Sequence, residues 1–146
     1  MPKIILGVDP DSKAHGIAVY ADGVLVDLRC MALMQIIDYM IWKGDVTVHM
    51  EDVCANNAVF MKPKKSYSGK DLAEVKARSR TLGMVQQSQI ELERVCEYYK
   101  IKVVKHKISK MWKKDKAQFE KVTGWKGRSN EDTRSAAYFG YLGLKR

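Results

Sequence analysis

Cysteine, histidine and proline each occur only three times in this 146-residue chain. Cys30, Cys54 and Cys96 are odd in number and widely spaced, which argues against a disulfide framework and for a reducing compartment. The chain has no C-x-x-C pair, and His15, His49 and His106 lie far apart, so a zinc site is not expected either. All three cysteines read as small buried hydrophobes. Long apolar runs are also missing. The longest, Met31 to Trp42, is broken by Gln35 and Asp38 and falls short of the ~20 residues that a bilayer span requires. Met1-Pro2-Lys3 leads straight into a strand-like segment, without the pattern of a leader peptide. A soluble, cytoplasmic protein with no membrane contact is therefore expected. No internal repeat or low-complexity tract interrupts the chain, whose length suits one domain spanning residues 1–146.

Acid is the scarcer sign of charge. Lys and Arg number 26 against 17 Asp and Glu, giving a net charge of +9. Such an excess suits a polyanionic partner, because each neutralised phosphate releases a counterion. The basic residues are also clustered. Lys62, Lys64 and Lys65 form one group, and Lys102, Lys105, Lys107, Lys110, Lys113, Lys114 and Lys116 crowd a second. Phe60 and Tyr67 flank the first group and Trp112 lies within the second. Cations mixed with rings able to stack fit a nucleic acid better than a membrane surface. The plain alternative is a solvated lysine-rich face.

Hydrophobic residues make up 46% of the chain, enough for a core without covalent staples. Ile4 to Val8 reads as a strand covered on both faces, and it ends in the turn signal Asp9-Pro10-Asp11-Ser12. Gly16 to Tyr20 and Val24 to Leu28 read as two further strands, joined by Ala21-Asp22-Gly23 in an antiparallel meander. Met31 to Trp42 has helical spacing, and Val46 to Met50 is a fourth strand. Residues 56–69 form a long basic loop, of the kind that carries function in a compact domain. A helix follows from Asp71 to Tyr99 with a bend expected near Gly83, then a fifth strand from Ile101 to Val104. Ile108 to Val122 is lysine-rich and weakly amphipathic, and Asn130 to Leu144 forms the closing helix.

Three sets of acids fall at element ends that face one edge. Asp9 ends the first strand, Glu51 follows the fourth with Asp52 beside it, and Asp132 lies next to Glu131 in the first turn of the last helix. Hydrolysis of a phosphodiester with bound Mg²⁺ needs several carboxylates at one point, because hard oxygen ligands hold the ions that activate water and stabilise the leaving oxygen. Each acid has a plainer reading when taken alone. Asp9 before Pro10 is a turn former, Glu51-Asp52 an exposed strand end, and Ser129-Asn-Glu-Asp132 a capping box. Only as a set do they suggest a site.

These residues carry a family resemblance. Gly7-Val-Asp-Pro-Asp-Ser-Lys-Ala-His-Gly-Ile-Ala-Val19 resembles the opening motif of the RuvC family of Holliday-junction resolvases, G-[IV]-D-P-G-x3-T-G-[YW]-[AG]-V. Asp11 stands where that motif has Gly, and His15 where it often has Thr. Val48-His-Met-Glu51 is similar to the second motif, an apolar strand ending in the catalytic Glu. Arg80-Thr-Leu-Gly83 resembles part of the family's long helix, and Asn130 to Ala137 its closing D-x-x-D-A motif, with Asp132 at the first acid and Ser135 in place of the second.

The resemblance implies an α/β protein of the RNase H-like fold. It would have a five-stranded mixed sheet, three antiparallel strands then two parallel, flanked by helices. It implies a homodimeric endonuclease that cuts four-way (Holliday) and other branched DNA junctions by paired symmetric nicks, using Mg²⁺, for which Mn²⁺ substitutes. Asp9, Glu51 and Asp132 would be the ligands, with Glu131 a substitute for the acid missing at Ser135. Lys116 matches the lysine that stabilises the scissile phosphate, with Lys113 second. Phe60 matches the ring that stacks on junction bases, with Tyr67 in reserve, and Lys62, Lys64 and Lys65 would contact phosphates. A small stand-alone resolvase of this kind could be encoded by a bacteriophage, and would then act in the host cytoplasm. Two rivals stay open: an RNA-processing nuclease of the YqgF type, and a junction-binding protein made inactive by Ser135. A sugar-kinase or actin-like ATPase needs two such domains, and this chain is too short.

Overall fold

The computed structural model describes residues 2–55 and 69–145. Strands β1 (Ile4–Asp9), β2 (His15–Ala21) and β3 (Val24–Met31) are followed by helix α1 (Leu33–Lys43) and strand β4 (Val46–Glu51). After a short 3-10 turn at Val53–Ala55 come α2 (Gly69–Tyr98), β5 (Lys102–His106), α3 (Lys116–Thr123) and α4 (Glu131–Leu144). The five strands form one sheet in the order β3-β2-β1-β4-β5. The β1–β2 and β2–β3 pairs are antiparallel, and the β1–β4 and β4–β5 pairs parallel. This is the mixed sheet that the resemblance implies.

Alternation along the central strands divides the core. Ile4, Leu6 and Val8 of β1, with Val46, Val48 and Met50 of β4, meet Ile36 and Met40 of α1 and Leu92 and Cys96 of α2. The opposite face carries Ile5, Ala18 and Tyr20 against Phe119 of α3 and Ala136 and Ala137 of α4. All six residues of β1 are buried, because helices cover both of its faces. By the same alternation Asp9 and Glu51 fall on the α4 face.

The approach of α4 to the sheet depends on two glycines. A Cβ on Gly7 would lie 1.9 Å from the Ala136 carbonyl oxygen, and one on Gly16 would lie 2.6 Å from that of Asp132. A Cβ at either position would lift the helix off the sheet.

Several expectations need correction. The 108–122 segment is helical only from Lys116, and before it Trp112 takes a left-handed backbone conformation (φ 68°). Trp112 is buried against Phe119, Tyr138 and Tyr141, so it is a core ring and does not stack on nucleic acid. Of the cysteines only Cys96 is buried, whereas Cys30 is exposed and Cys54 half-buried. Residues 56–68 of the basic loop, with Phe60, Lys62, Lys64, Lys65 and Tyr67, lie outside the described residues. Among the described residues, no helix is long and apolar enough to cross a membrane.

Candidate functional site

β1 and β4 are parallel neighbours, so their C-terminal ends emerge side by side. That places Asp9 and Glu51 together. Both are buried, with 6% and 5% of their surfaces exposed, and their carboxyl groups share a hydrogen bond. Gly16 is paired with Asp9 across the β1–β2 ladder, and the first turn of α4 rests on it. Asp132 is thereby brought near enough for its charge to act on Asp9.

Two carboxyl groups buried side by side resist ionisation. Burial, against the pull of Lys113 and helped by the charges of Glu51 and Asp132, pushes the Asp9 carboxyl up to about 7. Burial also raises Glu51, opposed by its hydrogen bond with Asp9, by Lys113 and by a hydrogen bond from the Ser109 backbone. Asp9 Oδ2 is buried without a hydrogen-bond partner, and the nearest cation is the Lys113 ammonium at 3.6 Å. A buried carboxylate oxygen lacking a donor is costly unless something supplies positive charge.

The expected helix cap does not form from Ser129 and Asp132. Asn130 caps α4 instead, accepting from the Thr133 N–H at 2.8 Å, while the Thr133 hydroxyl accepts from the Asn130 N–H at 2.9 Å. The half-buried Asp132 is left out of that box. Glu131 is exposed at the start of α4. Ser135, one turn after Asp132, is fully buried, and its hydroxyl has no hydrogen-bond partner.

The two candidate lysines are placed differently. Lys116 is the exposed first residue of α3, whose cap Asp115 accepts from the Gln118 N–H at 3.0 Å. Lys113 is the one that reaches the carboxylates. Its segment is fixed by Arg134 of α4, a buried cation that donates to the carbonyls of Trp112 (3.0 Å) and Lys113 (2.6 Å) and to the Ser129 hydroxyl (3.0 Å).

Two further arrangements escape sequence reasoning. Gln89 of α2 is fully buried and satisfies every polar atom it carries. Its carbonyl accepts from the Val53 and Cys54 N–H groups at 2.8 and 3.1 Å, and its amide donates to Asp52 at 3.0 Å and Glu93 at 3.2 Å. It thus anchors the chain just after Glu51. His49 of β4 and His106 of β5 are buried on neighbouring strands, and their ring nitrogens hydrogen-bond each other at 2.9 Å. Polar residues whose partners are distant in sequence leave no local signature in it.

Among the described residues, no group of three His, Cys, Asp or Glu side chains is arranged to hold a metal ion. The Asp9–Glu51 pair nevertheless suits a hard cation. Its donors are carboxylate oxygens, one of them lacks a partner, and Mg²⁺ commonly binds through one or two carboxylates together with waters and substrate phosphates.

No family model and no curated protein sequence matches this chain. Solved structures do. RuvC of Thermus thermophilus in complex with a Holliday junction substrate superposes with a TM-score of 0.61 at 9% identity, over 98% of this chain and 94% of that one. A second Thermus thermophilus RuvC structure gives a TM-score of 0.56 at 10% identity, over 97% of this chain and 93% of that one. The chain has the fold of these RuvC structures.

Proposed function

We propose that this chain is a metal-dependent endonuclease that resolves four-way and other branched DNA junctions. The observation that carries the reading is the Asp9–Glu51 pair, two buried carboxyls in contact with Asp132 close by. Confining acids in this way is costly to a fold, and such clusters concentrate at sites that bind cations or do chemistry. The resemblance of the three motifs to RuvC, together with a shared fold and a net charge of +9, points the chemistry at junction DNA.

In this reading Asp9, Glu51 and Asp132 hold Mg²⁺, for which Mn²⁺ substitutes, and Ser135 adds a neutral oxygen where the family has an acid. A divalent ion bound there supplies an activated water and offsets charge on the scissile phosphate. The protein's own part is to hold the carboxylates in place through β1, β4 and α4, and to present Lys113 to the phosphate. Phe60, with Tyr67 in reserve, stacks on bases opened at the branch point, while Lys62, Lys64 and Lys65 bind the backbone.

Paired symmetric nicks require two sites related by a two-fold axis, so the active form is a homodimer. α2 is 30 residues long and its buried residues Gln89, Leu92 and Cys96 all lie in the second half, while Leu72 in the first half is exposed, a face that a second copy would cover.

The test is a gel assay of the full chain with a labelled four-way junction, a linear duplex and a structured RNA, each with Mg²⁺ and with chelator. Symmetric Mg²⁺-dependent nicks in the junction alone are expected. Cutting of the RNA in preference would move the assignment to the YqgF type. Tight junction binding without cutting in Mg²⁺ or Mn²⁺ would make this a binding protein.

A further inference from the structure

We propose that Lys113 is a resident counter-ion of the carboxylate pair. Its ammonium stands where a divalent cation binds, so cation binding is an exchange that releases the lysine toward the substrate phosphate. The inference rests on Asp9 and Glu51 being cation ligands, and it assigns Lys113 a role before any DNA arrives.

The geometry has three parts. The first is position: Lys113 Nζ lies 3.6 Å from Asp9 Oδ2, the buried oxygen with no hydrogen-bond partner. The second is depth. The lysine side chain is 30% exposed and that of Asp9 only 8%, so Lys113 links a partly exposed position to a buried carboxylate. The third is the mounting. The Lys113 carbonyl is held by Arg134, and Trp112 before it is locked among aromatic rings. The backbone is therefore fixed while the four-carbon stem stays free to swing.

A divalent ion held by Asp9 and Glu51 would lie beside the Lys113 ammonium, which stands 3.6 Å from Asp9 Oδ2. Like charges at this range repel strongly in a partly buried site. The lysine leaves toward solvent, where a DNA phosphate is its natural partner. Lysine suits this role better than arginine, because it is a point charge and does not form a bidentate fork with a carboxylate.

The experiment titrates Mn²⁺ into the full-length protein without DNA, following heat by calorimetry and the thermal midpoint in parallel. Lys113→Gln should lower the metal-free midpoint and bind Mn²⁺ about tenfold more tightly than wild type, since two mutually exclusive cations oppose each other reciprocally. Saturating Mn²⁺ should bring the two midpoints together. Lys113→Arg should keep the metal-free midpoint and bind Mn²⁺ more weakly than wild type. Lys113→Gln binding Mn²⁺ no more tightly than wild type would overturn the exchange. Asp9→Asn separates this from the reading beneath it. If it abolishes the Mn²⁺ response while Lys113→Gln leaves affinity unchanged, the site stands and the exchange falls. If Asp9→Asn binds Mn²⁺ like wild type, both fall.

Discussion

The Cβ that Gly16 lacks would lie 2.6 Å from the carbonyl oxygen of Asp132. Gly16 is also the residue paired with Asp9 across the β1–β2 ladder. One missing side chain thus sets the height of α4 over the sheet and the distance between two acids of the site. Gly16→Ala must push the first turn of α4 outward, because the atom it meets is backbone. The variant should lose metal response and cutting while keeping most of its stability, since only the helix start moves. Gly7→Ala is different. Its Cβ would meet the Ala136 carbonyl at 1.9 Å in the middle of the helix, so it should cost about 3 kcal/mol, the upper end of ordinary overpacking. Urea unfolding of both variants beside wild type measures the contrast.

Asp9 makes a prediction about pH. Its folded-state value is raised from 3.8 to about 7, so between these limits the folded protein binds more protons than the unfolded chain. The contribution of this group to stability therefore falls as pH rises from about 4 to about 7, then stays level. Metal-free Asp9→Asn escapes the penalty. Its thermal midpoint should match wild type near pH 4 and exceed it by several degrees at pH 8. Equal midpoints across the range would mean that Asp9 carries no buried strain.

Strand ends are where this site is readable from sequence. Ile4 to Val8 and Val46 to Met50 are apolar runs that stop at Asp9 and Glu51, and parallel pairing brings such ends together. Asp132 is harder, because a first-turn acid serves a cap as well as a site. Only the Asn130–Thr133 box shows that it is not used for capping. The choice between Lys113 and Lys116 hangs on a left-handed turn at Trp112 and on Arg134 reaching back over 22 and 21 residues. Neither has a propensity signal, since both depend on tertiary partners. The same holds for Gln89, which reads as one more polar residue on a long polar helix.

Binding to a junction should weaken steeply with salt. If the basic surface makes six or more phosphate contacts, affinity should drop by roughly 10³-fold between 50 and 200 mM salt. A fluorescence-anisotropy series over that range checks this, and a flat response would contradict an electrostatic footprint.

Phe60→Ala should impair cutting of an intact junction more than binding to it, because stacking on an unpaired base is worth roughly 1–3 kcal/mol and goes into opening the branch point. Tyr67→Ala serves as the comparison. If Phe60→Ala lowers the thermal midpoint by several degrees and leaves cutting unchanged, the ring belongs to the core. If only Tyr67→Ala impairs cutting, that ring is the wedge.

The most direct measurement compares wild type with Asp9→Asn, Glu51→Gln and Asp132→Asn on one labelled four-way junction in Mg²⁺, scoring binding by gel shift and cutting by product. Loss of a ligand should exceed the 10–100-fold cost typical of outer-shell changes, so each variant should cut at least about 10²-fold more slowly. Each should bind the junction as tightly as wild type or more tightly, since a negative charge facing phosphate has gone. A variant that cuts at the wild-type rate would remove its residue from the site, and wild-type cutting by all three would contradict the account.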